Sequence, residues 1–264
     1  MIDYELTNRQ YHSRPELSSS DGKAVDQQSV KHWIAKKDRP SDPTPAMIKG
    51  SAAHELILTP EDNTIIRGPD TRRGNAWKEL LEDANAKDHL LLTSGDYDEV
   101  QAIADAVLSH APAIDIMNES DAMKEISIFN DDPDTGLSLR CRPDWYSPSK
   151  RRLIDIKTTQ DASPDYGGFE KHFYKFGYAL QCAWYEQVLY NEGLPVEEII
   201  FITVENTYPY CVQNFRIPWD VISYGRGRMR RALDKINRAY EAERFTTGWP
   251  DEAIIELPDY LQGE

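Results

Sequence analysis

The sequence has little cysteine, no long hydrophobic run and fewer basic than acidic residues. Its three cysteines, Cys141, Cys182 and Cys211, are widely spaced among 264 residues and form no C-x-x-C pair. This spacing argues against a disulfide framework and against a zinc or iron–sulfur site, and it is typical of a reducing compartment. No stretch approaches the roughly 20 apolar residues of a membrane span, and the polar N-terminus does not resemble a signal peptide. We therefore expect a cytoplasmic protein with no membrane partner.

Basic charge is scarce overall and concentrated in one place. The chain has 30 Lys and Arg against 45 Asp and Glu, a net charge of −15, so no overall positive field attracts nucleic acid and any polyanion must be bound locally. The basic stretch GRGRMRRALDKINR, residues 225–238, either lines a phosphate path on a helix or pairs with acids on a solvated helix face. No P-loop is present, so no use of ATP is expected.

The pattern of apolar residues changes near residue 120. Before it, helical spacing and capping residues predict helices within residues 17–37, 45–58, 72–87 and 95–110. Three β-rich stretches at 122–130, 137–147 and 151–159 then predict an antiparallel meander. The remainder predicts helices at 163–175 and 178–193, strands at 197–207 and 210–217, and a long basic helix at 220–243. The expected fold class is α/β, with a mixed central β-sheet flanked by helices.

One predicted strand carries charges where an interior strand is expected to be apolar. In LIDIK, residues 153–157, alternation places Asp155 and Lys157 on one face and the two isoleucines on the other. Asp144, in RPDWY on the preceding strand, would lie beside Asp155, with Cβ atoms about 5 Å apart. Two carboxylates that close need a shared positive charge, and their oxygen atoms suit Mg²⁺ or Mn²⁺. The pattern predicts a metal site where a bound water attacks phosphorus, and Lys157 orients it or neutralises charge.

The same residue types also occur in ordinary structural roles. Asp155 and Lys157 can form an ion pair on a solvated face. His54, flanked by apolar residues, can be a packing residue of a helix. Gln181 and Tyr185, four residues apart on one helix face, can be a buried tyrosine bonded to a glutamine. Spacing by itself leaves these alternatives open.

Several stretches together resemble a known nuclease family. RPDWY followed by LIDIKTT, at 142–146 and 153–159, resembles the PD-(D/E)xK nuclease motif. Three further stretches resemble the RecE-type (exonuclease VIII) branch, which is related to lambda exonuclease and RecB nuclease domains: LSSSDGKAV at 17–25, KGSAAHELIL at 49–58 and QCAWY at 181–185. The resemblance implies a restriction-endonuclease-like core in a single domain over 1–264, helical over about 15–110 and with the catalytic sheet and helices over about 120–245.

Site residues follow from this resemblance. It implies that Asp144 and Asp155 bind metal, that the Ile156 backbone carbonyl completes the site, that His54 adds a ligand from a helix, and that Lys157 is the catalytic lysine.

Four more residues are candidates for supporting roles. Glu125 is a further candidate metal ligand, with a solvated glutamate as the alternative. The family motif implies that Gln181 and Tyr185 contact the region of the active-site lysine or the DNA. Arg140 and Arg142, beside the active strand, are candidates for gripping the scissile strand.

The implied activity is Mg²⁺-dependent exonuclease digestion of linear double-stranded DNA from the 5′ end, leaving 3′ single-stranded tails. The resemblance also implies a ring-shaped homo-oligomer, a single-strand annealing recombinase as partner, and a phage or prophage origin. A ring with a basic lumen would explain how an acidic chain handles DNA. Two other hypotheses compete: a degenerate member that binds DNA ends or a protein without cutting, and a glycosidase with paired carboxylates.

Overall fold

Ten α-helices and ten strands lie in the part of the chain that the computed structural model describes, residues 1–165 and 167–256. The helices are α1 Asn8–Ser13, α2 Ser19–Gln27, α3 Val30–Asp38, α4 Pro45–Leu58, α5 Asn75–Lys87, α6 Ser94–Ser109, α7 Ala111–Ile116, α8 Phe169–Lys175, α9 Tyr178–Asn191 and α10 Trp219–Glu241. The strands are β1 Ile2–Asp3, β2 Ile65–Arg67, β3 Leu90–Leu92, β4 Met123–Lys124, β5 Ser127–Asp131, β6 Ser138–Cys141, β7 Trp145–Ser147, β8 Arg152–Thr159, β9 Glu198–Glu205 and β10 Val212–Arg216.

The largest sheet has five strands in the order β10-β9-β8-β7-β4. Strand β8 lies at its centre and runs parallel to β9, whereas the other pairs are antiparallel. The predicted mixed sheet is therefore confirmed. Residues 257–264 of the predicted single domain lie outside the described part of the chain.

Strand β8 contributes to the hydrophobic core on both faces of this sheet. Leu153 packs in the core formed with α2, α9 and α10, while Ile154 and Ile156 pack in a second core with α4 and α6. Because side chains alternate, Asp155 and Lys157 share the face of Leu153. The predicted division between apolar and charged faces is thus confirmed.

The predicted three-stranded meander is wrong. Residues 122–130 separate into β4 and β5, and residues 137–147 separate into β6 and β7. Strand β5 pairs with both β1 and β6 in a second sheet, while β4 and β7 join the central sheet. The chain changes sheets at Glu125, whose φ of 49° is left-handed, and at Pro143, which has no N–H for a ladder hydrogen bond. Both breaks lie beside Asp144.

The predicted first helix is also divided. Residues 17–37 form α2 and α3, because the Ser29 hydroxyl accepts the backbone N–H of His32 and starts a new helix. The long helix α10 is confirmed, but the phosphate path on it is not supported. Three of its arginines pair with acids: Arg226 with Glu186, Arg228 with Asp26, and Arg230 with Asp132 and Asp134. Among the described residues, none of the helices is both long and apolar enough to cross a membrane.

Candidate active site

Asp144 lies immediately before β7, at the open edge of β8. Trp145 pairs with Ile154 in the antiparallel register, so Asp144 is diagonal to Ile154 and next to Asp155. Its Oδ2 atom accepts the backbone N–H of Ile156 at 2.6 Å. One oxygen of Asp144 thus accepts a β8 backbone N–H just beyond the last backbone pair of β7 with β8. This bond orients the carboxylate.

The Ile156 carbonyl points to the same edge as its N–H, because both groups of one strand residue leave the strand on one side. Continuing the register places residue 143 opposite Ile156. Since residue 143 is proline, it cannot donate the hydrogen bond that this carbonyl would otherwise accept. Pro143 therefore offers this carbonyl no N–H, and the role of the Ile156 carbonyl as a metal ligand stays a prediction.

Three predicted ligands meet at this edge. His54, Glu125 and Asp144 each offer a ligand atom within 4.8 Å of the other two. His54 comes from α4, with Nδ1 3.6 Å from Asp144 Oδ2. Glu125 comes from the turn between β4 and β5, where its N–H donates to the Asp144 carbonyl at 3.3 Å. Because two carboxylates and a histidine suit a divalent cation, these residues fit a metal site.

Glu125 occupies a strained position in this group. A left-handed φ is unfavourable for a residue with a long side chain, and such outliers cluster at functional sites. Burial, followed by the nearby Asp144 carboxylate, raises the pKa of Glu125 from 4.5 to about 8, although Arg142 opposes the shift. Without a cation the site therefore favours a protonated Glu125 at neutral pH.

Asp155 and Lys157 form a buried ion pair on β8, next to the group of His54, Glu125 and Asp144. Asp155 is 3% exposed, and its Oδ2 contacts the Lys157 ammonium without accepting a hydrogen bond of good geometry. Burial raises the pKa of Asp155, and Asp144 adds to the rise against the effect of Lys157. Burial lowers the pKa of Lys157, but Asp155 and then Asp144 outweigh it and the net pKa is raised. Lys157 is thus the cation that compensates the buried Asp155 carboxylate.

Asp155 is not one of the three residues that cluster within 4.8 Å. Its role as a metal ligand stays a prediction, as do the catalytic roles of Asp144 and Lys157.

Gln181 joins this pair to a second lysine. Its Nε2 donates to Asp155 Oδ1 at 2.7 Å, and its Oε1 accepts from Lys23 Nζ at 3.2 Å. Tyr185, one turn further along α9, is half-buried beside the core, and burial raises its pKa well above the usual value. Because Gln181 binds Asp155 and Lys23, its contacts agree with the family motif better than with a simple tyrosine–glutamine pair.

Lys23 is the site residue that the sequence analysis missed. It lies in LSSSDGKAV, a stretch singled out as a motif, but nothing local indicates that its side chain reaches residue 181. Burial, followed by the charge of Lys157, lowers the pKa of Lys23 to about 8.

Arg140 and Arg142 are directed into the protein. The Arg140 guanidinium, 7% exposed, donates to the carbonyls of Tyr11 and Arg14. Arg142 donates to the carbonyl of Leu6 and to the Ser127 hydroxyl, the latter at 3.1 Å. These bonds attach the N-terminal segment to the sheet, so both arginines position backbone near the site. Their contacts do not support the prediction that they bind the scissile strand.

A pH-dependent stability is expected from Glu125. Its pKa of about 8 exceeds its ordinary value of 4.5, so between these values the metal-free folded protein holds a proton that the unfolded chain has released. Stability should therefore fall as pH rises from about 5 to 8. Asp155 contributes a slope of the same sign, so Glu125→Gln should reduce the slope without removing it.

Thermal unfolding in EDTA at pH 6 and pH 8.5 measures this effect. Added Mg²⁺ should restore stability at the higher pH, since metal binding requires the deprotonated carboxylate. A slope that is identical in the wild type and in Glu125→Gln would contradict the assignment.

Comparison with known proteins gives one matching family and several structures of similar fold. One family, described as a PDDEXK-like domain of unknown function (DUF3799), matches residues 18–252. No curated protein matches the sequence. A structure from Eubacterium rectale, provisionally described as an exonuclease, has 14% identity and a TM-score of 0.66, covering 98% of this chain and 99% of that chain. At this identity the likeness supports the fold alone.

Two other structures have lower TM-scores. A phage related exonuclease from Haemophilus somnus 129PT has 11% identity and a TM-score of 0.36, covering 88% of this chain and 99% of that chain. An alkaline exonuclease from Laribacter hongkongensis has 11% identity and a TM-score of 0.33, covering 75% of this chain and 93% of that chain.

Proposed function

The chain belongs to the family of PDDEXK-like domains of unknown function (DUF3799), and on that premise we propose that it is a metal-dependent deoxyribonuclease. The observation that carries the proposal is that two groups lie next to each other at β8. His54, Glu125 and Asp144 lie within 4.8 Å of one another, and beside them Asp155 pairs with Lys157. An acidic ligand set beside a buried lysine is suited to hydrolysis of a phosphodiester.

The acids and the histidine would bind the metal ion. Asp144, Glu125 and His54 would hold Mg²⁺, or Mn²⁺ in its place, with Asp155 and the Ile156 carbonyl as further ligands. The bound ion supplies a more acidic water and neutralises phosphate charge.

Two hydrogen bonds hold the acids of the site: Asp144 accepts the Ile156 N–H, and Asp155 accepts the Gln181 amide. The Lys157 ammonium would donate hydrogen bonds to a phosphate oxygen and stabilise the charge that develops on it.

The more specific proposal follows the RecE resemblance. The enzyme digests one strand of linear double-stranded DNA from its 5′ end and leaves a 3′ single-stranded tail for recombination. It acts as a ring-shaped homo-oligomer with a single-strand annealing recombinase, in the cytoplasm of a cell that carries a phage or prophage.

Digestion of matched linear and closed circular duplex DNA tests the proposal. With Mg²⁺ the linear form should be degraded and the circular form should persist, and EDTA should stop degradation. Labels at the 5′ and 3′ ends report the polarity. Degradation of both forms would indicate an endonuclease instead of an exonuclease. Full activity in EDTA would indicate a hydrolase that needs no metal ion.

A degenerate, non-cutting protein is the alternative outcome of the same test. Intact linear DNA under varied metal ions and pH, together with retained DNA binding, would support it.

A further inference from the structure

Lys23 is a cation in the candidate active site that has no acidic partner. Its Nζ donates to the neutral amide oxygen of Gln181 at 3.2 Å, and among the described residues no carboxylate forms an ion pair with it. A half-buried ammonium without an anion is unfavourable, because an amide oxygen replaces only part of its hydration. An anionic ligand would remove this cost.

The two active-site lysines lie close to one aromatic ring. Lys157 Nζ is 5.3 Å and Lys23 Nζ is 5.5 Å from the centre of the Tyr178 ring. Whereas Lys157 is already paired with Asp155, Lys23 keeps its donors for a further group. An anion bound by Lys23 would therefore lie beside the group that Lys157 contacts, as successive phosphates of one strand do.

An exposed aromatic side chain lies next to the Tyr178 ring. Phe176 is 48% exposed, and its ring centre is 5.9 Å from that of Tyr178. Lys175 lies beside it, with Nζ 5.6 Å from the centre of the Phe176 ring. Cations alternating with an exposed aromatic ring are what proteins present to single-stranded nucleic acid, because bases stack on the ring and lysines track the backbone.

The segment that carries Phe176 is packed against Lys23. Gly177 has a left-handed φ of 68°, and a methyl group placed on it would lie 3.1 Å from Lys23 Cγ and 3.0 Å from Gln27 Nε2. Gln27 Nε2 in turn donates to the Lys175 carbonyl at 2.9 Å. Helix α2 and the α8–α9 junction therefore form one continuous surface leading out of the site.

We propose that this surface, Lys23, Lys175 and Phe176, binds a single strand of DNA next to the cleavage site. Lys23 contacts the phosphate adjacent to the scissile one, Phe176 stacks on a base, and Lys175 contacts the backbone further out. This binding track rests on the proposed function, since it assigns the path of the strand that reaches Lys157.

Binding of a fluorescent oligothymidylate, measured by anisotropy in Ca²⁺ at several salt concentrations, tests the track. Lys23→Gln should weaken binding and reduce the salt slope by about one phosphate contact, whereas Lys23→Arg should preserve both. Phe176→Ala should weaken binding about 5- to 100-fold and leave the salt slope unchanged.

Matched controls come from surface residues away from the track. Lys36→Gln and Tyr190→Ala remove an exposed lysine and an exposed tyrosine and should leave affinity unchanged. Thermal unfolding and oligomeric mass are measured for every variant. If Lys23→Gln or Phe176→Ala binds as the wild type does, the track is wrong, and a change of oligomeric mass with Phe176→Ala would instead assign the surface to contact between copies.

The two proposals fail in different ways. Binding without cleavage by the wild type would reject the nuclease and retain the track. Cleavage with unaltered oligonucleotide binding in either variant would retain the nuclease and reject the track.

Discussion

Asp144→Asn is expected to abolish DNA cleavage while leaving the protein folded. The amide oxygen of asparagine can still accept the Ile156 N–H that Asp144 Oδ2 accepts at 2.6 Å, so the edge of β8 stays satisfied. The substitution removes the negative charge of Asp144 from the group that this residue forms with His54 and Glu125. We expect cleavage of linear duplex DNA in Mg²⁺ to fall by roughly 10³-fold or more.

Asp144→Ala is the informative comparison. It removes the charge and also leaves the Ile156 N–H without an acceptor, which costs about 1–3 kcal/mol of stability. Both variants should lose activity, but only the alanine variant should unfold at a lower temperature. Isothermal titration with Mn²⁺ should show weakened binding in both. Wild-type cleavage by Asp144→Asn would remove Asp144 from the site.

Lys157→Met is expected to have the second largest effect, acting on both activity and stability. Cleavage should fall by about 10²- to 10³-fold, because the group that stabilises developing phosphate charge is lost. In EDTA the buried Asp155 would also be left without its cation, and removing one partner of a buried pair costs up to about 3–5 kcal/mol. Protonation of Asp155 would reduce that cost.

A double substitution separates the two effects. Asp155→Asn combined with Lys157→Met removes the uncompensated charge and should recover much of the lost stability in EDTA without restoring cleavage. The free energies of unfolding from urea titrations of the wild type, the single variants and the double variant give the coupling between the two residues. Additive free energies would show that the two residues have no energetic coupling.

The amino-acid sequence determined which residues of strand β8 share a face. Alternation in LIDIK is a local property of extended backbone, so it correctly separated Ile154 and Ile156 from Asp155 and Lys157. The combination of RPDWY, LIDIKTT and the helix with His54 also led to the PDDEXK-like family, which the match over residues 18–252 shows.

Local patterns were insufficient where the chain changes partners. The stretches around Glu125 and Pro143 look like continuous strands, since β propensity does not specify which neighbour a strand pairs with. Tertiary structure broke both strands there, and Asp144 and Glu125 meet at these breaks. Arg140 and Arg142 looked available to DNA because their distant acceptors, the carbonyls of Tyr11, Arg14 and Leu6, cannot be identified from strand periodicity.

What the sequence by itself determined about this protein is the nuclease-like fold and the residue types of its site, which depend on periodicity and on motifs within short stretches. Only the tertiary structure decided which residues complete that site. Lys23 and Gln181 are 158 residues apart and meet because α2 packs against α9. Contacts of that kind depend on how helices and sheet pack together, and no local pattern encodes them.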